Sequence, residues 1–188
     1  MRWQLLTKRK LSRRGFLGRS LAMTAGLCVV GEAPAVVLKR DTDRTLAFHN
    51  LHTNEDLECA YWSNGGYDQV ALEDIAYVLR DHRADEVQAI DTELLDLLTL
   101  VRRTLNTGQP FHVISGYRSP RTNAKLHAKS KGVAKKSLHM LGKAIDVRIP
   151  DVPLSRLRKV GLELAAGGVG YYAKSNFVHL DIGRPRFW

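Results

Sequence analysis

The chain has 188 residues, of which 44% are hydrophobic and 26% are charged. This composition is typical of a globular domain with its own core, and it excludes a chain that is disordered along its length. The formal net charge is +10, but seven of the 29 basic residues and one of the 19 acidic residues lie in residues 1–35, so residues 36–188 carry +4. Because no basic helix with interleaved aromatic residues accompanies this modest charge, we expect no nucleic-acid partner.

The first 35 residues have the three-part pattern of an export signal. A basic stretch ends at Arg19, an apolar stretch follows over residues 21–31, and Ala33-Pro34-Ala35 has the small residues of a cleavage site. Ser12-Arg13-Arg14-Gly15-Phe16-Leu17 resembles the twin-arginine export motif. The alternative is an uncleaved membrane anchor, although the apolar stretch is short for a span. We predict export to the periplasm by the twin-arginine machinery.

The mature chain is predicted to form a single domain over residues 44–188, after a linker over residues 36–43. Short segments rich in β-branched and aromatic residues predict strands over 44–50, 56–62, 111–115, 142–149 and 177–182. Apolar residues at helical spacing predict helices over 70–83, 92–105, 121–130 and 154–166. Together these elements predict an α+β fold in which helices flank a small, largely antiparallel sheet.

Two of the predicted strands carry polar side chains on the face opposite their apolar residues. Asp146 alternates with apolar residues in one strand, and His179 and Asp181 do so in the other, while His139 precedes the first strand. Two imidazoles and a carboxylate are a typical ligand set of catalytic zinc sites, which leave a fourth position for water. Taken alone, these residue types fit structural roles at least as well, because such a spacing arises easily by chance.

The residues around these candidate ligands resemble a known family. Ser137-x-His139-x-x-Gly142-x-Ala144-x-Asp146 resembles the signature of the D-Ala-D-Ala metallopeptidases, which belong to the lysostaphin, D-Ala-D-Ala peptidase and hedgehog group of zinc proteins. The segment 115–120, Ser-Gly-Tyr-Arg-Ser-Pro, resembles the arginine loop of that family, and His179 stands where the third ligand belongs. Over residues 110–183, and in its export signal, the chain is similar to the YcbK/MepK-like murein endopeptidases.

The resemblance implies a zinc peptidase fold of the lysostaphin, D-Ala-D-Ala peptidase and hedgehog group, with one zinc ion bound by His139, Asp146 and His179. It implies a monomeric enzyme that hydrolyses amide bonds in the stem peptides of peptidoglycan. A cross-link endopeptidase is favoured by the closer resemblance. A D,D- or L,D-carboxypeptidase and a non-catalytic module that binds the cell wall and zinc are the alternatives.

The arginine loop supplies the predicted substrate contacts. Arg118 would be a fixed guanidinium near the scissile carbonyl or near a substrate carboxylate, and a planar, permanently charged group suits either task. A structural ion pair is the alternative for this residue. Ser115 and Tyr117 are predicted to shape the same pocket, and Ser137 to bind substrate or orient the loop that carries His139.

The chain departs from the resembling peptidases at the general base. Many of them carry an acid three residues before the last histidine, where this chain has Asn176, and others carry a histidine at the position of Phe177. Asp181 follows His179 by two residues, and period-two geometry points both side chains to one face. We therefore predict that Asp181 accepts the proton of the attacking water or orients His179, with a purely structural carboxylate as the alternative.

Overall fold

The computed structural model of the chain describes residues 43–130 and 132–188. The predicted export signal over residues 1–35 lies outside the described residues, as does the linker apart from residue 43. Within the described ranges, no helix is both long enough and apolar enough to cross a membrane.

The described residues form four α-helices and eight β-strands. The helices are α1 (Gln69–Val78), α2 (Thr92–Leu105), α3 (Pro120–Lys129) and α4 (Leu154–Leu164). The strands are β1 (Arg44–Asn50), β2 (Glu55–Ser63), β3 (Gly66–Tyr67), β4 (Phe111–Ser115), β5 (Ala144–Arg148), β6 (Gly168–Tyr172), β7 (Phe177–Asp181) and β8 (Arg186–Phe187). Two short 3₁₀ helices span Leu138–Leu141 and Ala173–Ser175.

All eight strands belong to one sheet, in the order β3-β2-β1-β4-β5-β7-β6-β8. Neighbouring strands are antiparallel except for the parallel pairs of β1 with β4 and β6 with β8. This mixed but mostly antiparallel sheet, with its four helices, confirms the predicted combination of helices and a largely antiparallel sheet.

One face of the sheet forms the hydrophobic core. Apolar side chains of β1, β4, β5, β6 and β7 join those of α1, α2 and α4 in a single buried cluster. Ile145 and Val147 of β5 and Val178 and Leu180 of β7 belong to it. Since side chains alternate along a strand, the residues between them are directed to the opposite face of the sheet. The predicted polar face of these two strands is therefore the face that lies away from the core.

The largest differences from the predicted elements are three additional strands and the end of one helix. The strands β3, β6 and β8 are additional, and α1 ends at Val78 rather than at residue 83. Beyond the helix, the carboxylate of Asp81 accepts hydrogen bonds from the backbone N–H groups of Arg83 and Ser119. A short acidic side chain that bonds nearby backbone in this way competes with helix continuation.

Gly116 is required where the loop after β4 passes over the end of α1. A methyl group at residue 116 would overlap the backbone carbonyl oxygen of Leu79, which accepts a hydrogen bond of 2.7 Å from the N–H of Tyr117. This close approach positions the arginine loop relative to the core.

We expect Gly116→Ala to lower the free energy of unfolding by about 1–3 kcal/mol, because the backbone must shift to relieve the overlap. Gly108→Ala is the matched control, since no atom lies within 4 Å of a methyl group at that position. Denaturant titration of both variants measures the difference. Equal stability of the two variants would contradict the packing role of Gly116.

Candidate metal centre

The pairing of β5 with β7 brings two of the candidate ligands together. Asp146 lies directly opposite His179 in the antiparallel register, so their side chains project side by side from the same face. His139 lies in the 3₁₀ helix that precedes β5, and Gly142, at a φ of 66°, ends this helix and turns the chain into the strand. The predicted placement, with His139 entering the strand and His179 on its neighbour, is the one the structure has.

Three side-chain atoms form a small triangle at the centre of this arrangement. Nε2 of His139 lies 3.2 Å from Nδ1 of His179 and 3.3 Å from Oδ1 of Asp146, and the last two atoms are 2.8 Å apart. Ligand atoms of a tetrahedral zinc ion are roughly 3.3 Å apart when the metal bonds are about 2.0–2.1 Å long. The triangle therefore has nearly the size that such an ion requires. In the part of the chain that the structure describes, this is the one group of three or more His, Cys, Asp or Glu residues whose ligand atoms all lie within 4.8 Å of one another.

The hydrogen bonds behind the two imidazoles decide which ring nitrogens carry protons. Nδ1 of His139 lies 2.7 Å from the carbonyl oxygen of Gly116, which can only accept, so this nitrogen is the donor. Nε2 of His179 lies 2.9 Å from Oδ2 of Asp181 and donates to it. Each ring consequently directs its other nitrogen at the cluster, where a carboxylate oxygen also points. Electron pairs that converge on this point repel one another unless a proton or a metal ion lies between them, and two imidazole nitrogens with a carboxylate oxygen are a donor set that fits a divalent metal.

Nearby charges set the proton affinities within the cluster. Burial raises the pKa of Asp146, but His139 and His179 outweigh this and hold it well below its usual range. Burial lowers the pKa of His179, but its hydrogen bonds to Asp146 and Asp181 prevail and raise the pKa to about 9. Asp146 is thus ionised at neutral pH, and a metal competes with a proton for His179.

Asp181 lies behind His179, on the side away from the triangle. Its side chain is fully buried. It accepts five hydrogen bonds, which come from His179 Nε2, the backbone N–H groups of Gly168 and Gly183, and two nitrogens of Arg186. Burial raises its pKa, but the bonds from His179 and Arg186 prevail and keep it well below the usual range. Of the roles predicted for this carboxylate, the geometry favours orientation of His179 over acceptance of a proton from water.

Arg118 places a positive charge next to the candidate ligands. The residue is 9% exposed, and its guanidinium donates to Ser115 Oγ at 3.2 Å and to Asp146 Oδ2 at 3.4 Å. Burial lowers its pKa, although the carboxylate of Asp146 acts in the opposite direction. Its Nε atom is buried without a partner among the described residues. The arginine is therefore a fixed cation with spare hydrogen-bonding capacity.

Of the predicted contact residues, some line the cleft and others lie outside its lining. The triangle lies in a cleft of about 510 Å³, which Ser137 and Arg118 also line. Ser115 supports Arg118 from behind and is not part of the cleft lining. Tyr117 belongs to the hydrophobic core, so the structure places it away from the pocket that the sequence analysis predicted it to shape. Within the loop, Tyr117 packs on the core side, whereas the next residue, Arg118, lines the cleft.

Three residues of this region were not predicted from the sequence to take part in the site. Arg186 holds Asp181, and Tyr172 and Trp188 line the cleft. They lie in or beside β6 and β8, the strands that the hydrophobic pattern does not predict. The aromatic residues near the end of the chain were the available signal for this wall of the cleft.

Comparison with known proteins identifies the family. Residues 39–188 match the family model described as peptidoglycan L,D-endopeptidase MepK. The chain is 42% identical over 163 residues to the peptidoglycan L,D-endopeptidase MepK of Escherichia coli strain K12, covering 87% of this chain and 90% of that protein. It is 36% identical over 164 residues to the probable peptidoglycan L,D-endopeptidase MepK of Haemophilus influenzae, covering 87% and 88%.

The chain therefore belongs to the M15 peptidase family described as peptidoglycan L,D-endopeptidase MepK. This membership confirms the resemblance to the YcbK/MepK-like endopeptidases that the motif around His139 and Asp146 carries.

We expect Asp181→Asn to weaken zinc binding about 10–100-fold, because the neutral amide no longer fixes the ring of His179 or its basicity. Competition with a chromogenic chelator measures the affinity. Asp85→Asn is the control, since Asp85 also pairs with an arginine but its side chain is 83% exposed. A folded Asp181→Asn protein with unchanged zinc affinity and lost turnover would instead indicate a proton-accepting carboxylate.

Proposed function

We propose that this chain is a zinc-dependent peptidoglycan hydrolase that cleaves the peptide cross-links of murein. The observation that carries the proposal is the convergence of three candidate ligand atoms, from His139, Asp146 and His179, in a cleft of a MepK-family chain. Its curated relatives are named peptidoglycan L,D-endopeptidases, which favours an endopeptidase over a carboxypeptidase or a binding module.

The three ligands bind one zinc ion in this proposal. A bound zinc ion supplies Lewis-acid polarisation of a carbonyl and activates water near neutral pH. The carbonyl of Gly116 and the carboxylate of Asp181 hold the two imidazole rings in the tautomers that leave their inner nitrogens free. Asp181 is thus a positioning residue, and its five hydrogen bonds keep the support rigid.

Arg118 acts on the substrate from its buried position beside Asp146. Its charge is already desolvated and fixed by Ser115 and Asp146, so it requires little reorganisation when negative charge develops on the scissile carbonyl oxygen. Its guanidinium donates to this oxygen or to a carboxylate of the stem peptide. Ser137, at the cleft wall and at the N-cap of the 3₁₀ helix, holds the backbone N–H of His139.

The proposed substrate places the enzyme outside the cytoplasm. Residues 1–35 then act as the export signal, with the Arg13-Arg14 pair directing the chain to the twin-arginine machinery and the periplasm. Residues 36–43 connect the signal to a monomeric peptidase domain over residues 44–188.

The activity is tested by incubating the zinc-loaded protein with purified cross-linked muropeptides. We expect dimers to be converted into monomers, the reaction to stop with a chelator, and zinc to restore it. Release of terminal D-Ala alone would identify a carboxypeptidase, and wall binding without any product would identify a binding module. Either result contradicts the endopeptidase.

We expect Arg118→Lys to lower kcat by about 10²-fold, because a lysine retains the charge but not the fixed planar donor. Arg121→Lys is the control from the neighbouring helix, since Arg121 is largely exposed and pairs only weakly with Glu86. Steady-state kinetics on muropeptide dimers, with melting temperatures for both variants, provide the measurement. Turnover of Arg118→Lys equal to that of the control would rule out the assigned role.

A further inference from the structure

Tyr172 forms part of an aromatic wall of the cleft that Arg118 also lines. It ends β6 and lies across from Phe177 of β7 in the antiparallel register. The two rings stack with centroids 4.6 Å apart and an interplanar angle of 19°. The preceding residue, Tyr171, lies on the other face of the strand, where it packs against the core and beneath the guanidinium of Arg158.

The hydroxyl of Tyr172 has one hydrogen bond, and its direction is determined by chemistry. Nε1 of Trp188 lies 2.8 Å from the phenol oxygen. An indole N–H can only donate, so the phenol accepts here and its own proton is left over. Among the described residues, no acceptor for that proton is present. Tyr172 therefore presents a free donor at the cleft.

Trp188 is itself held in a defined place. Its backbone pairs with β6, donating to the carbonyl of Val169 and accepting from the N–H of Tyr171. A methyl group at Gly170 would lie 2.7 Å from the indole ring, so the glycine makes room for it. The indole centroid lies 5.2 Å from that of His179. The group that orients Tyr172 thus packs directly against a candidate metal ligand.

The groups available to a ligand in this cleft are mainly donors. Arg118 and Lys136 line it together with Tyr172. The two carboxylates that line it, Asp146 and Asp181, are already engaged by histidines and arginines. A ligand that matches such a surface offers hydrogen-bond acceptors, and a peptide with carbonyl and free carboxylate oxygens does so.

We propose that Tyr172 is a substrate-binding residue whose hydroxyl donates a hydrogen bond to a carbonyl or carboxylate oxygen of the stem peptide. Trp188 is the positioning residue, because its indole N–H occupies the accepting side of the phenol and leaves the proton for the ligand. The inference rests on the proposed peptidoglycan substrate, whose recognition it extends to a second wall of the cleft.

The test uses the zinc-loaded protein and two conservative variants with a matched control. Tyr172→Phe removes the hydroxyl but keeps the ring that stacks on Phe177, and Tyr171→Phe removes the neighbouring hydroxyl outside the cleft. Trp188→Phe removes the indole donor. Calorimetry with uncross-linked monomeric muropeptides measures Kd, and steady-state cleavage of dimers measures KM and kcat separately.

We expect Tyr172→Phe to raise Kd and KM about 5–20-fold, the loss expected when one hydrogen bond to a ligand oxygen is removed, with a smaller change in kcat. We expect Trp188→Phe to raise Kd and KM by a smaller factor. In the double variant with Tyr172→Phe it should add little to the loss of affinity, because both substitutions act through the same hydroxyl. Tyr171→Phe binds and cleaves as the parent does. Melting temperatures of the two tyrosine variants should agree.

Failure of the inference is distinguishable from failure of the proposed function. If the parent cleaves dimers and Tyr172→Phe has the Kd and KM of Tyr171→Phe, the role of Tyr172 is overturned and the hydrolase stands. If the parent binds monomers but leaves dimers intact while Tyr172→Phe binds weakly, the binding role stands and the hydrolase falls. A parent that neither binds nor cleaves overturns both.

Discussion

The site depends on the register between β5 and β7, which places Asp146 directly opposite His179. A shift of β5 by one residue along β7 would direct Asp146 into the hydrophobic core and bring Ile145 or Val147 to the polar face. Burial of the apolar residues of both strands opposes this shift. The same packing that stabilises the domain therefore sets the 2.8 Å approach of the carboxylate oxygen to the imidazole nitrogen, and His139 completes the triangle from the turn before β5.

Each group of the triangle has a partner that fixes its orientation. The carbonyl of Gly116 holds His139, Asp181 holds His179, and Arg118 contacts Asp146. These partners lie in the loop after β4 and at the end of β7, so two further segments support a site whose candidate ligands come from two strands and a 3₁₀ helix. Two glycines of β6 also contribute to this arrangement, because Gly168 and Gly170 leave space for the side chains of Arg186 and Trp188.

The ligand face could be predicted from the sequence because it follows from strong local patterns. Alternation in 142–149 and 177–182 identified Asp146 and His179 as residues of one face, and the spacing to His139 required an entering turn. β6 was missed because two of its five residues are glycines, which weaken the strand pattern while they permit close packing. The choice between the roles of Asp181, and the core position of Tyr117, depended on contacts between distant segments that local patterns do not encode.

X-ray absorption spectroscopy of the zinc-loaded protein tests the central claim most directly, because it reports the atoms around the metal. One equivalent of zinc should bind with two imidazole nitrogens at about 2.0–2.1 Å and with carboxylate and water oxygens at about 2.0–2.2 Å. Replacing His139 or His179 by alanine should each remove one imidazole from the spectrum. A spectrum with only oxygen neighbours, or one that is unchanged in both variants, would contradict the assignment of His139, Asp146 and His179 as the metal ligands.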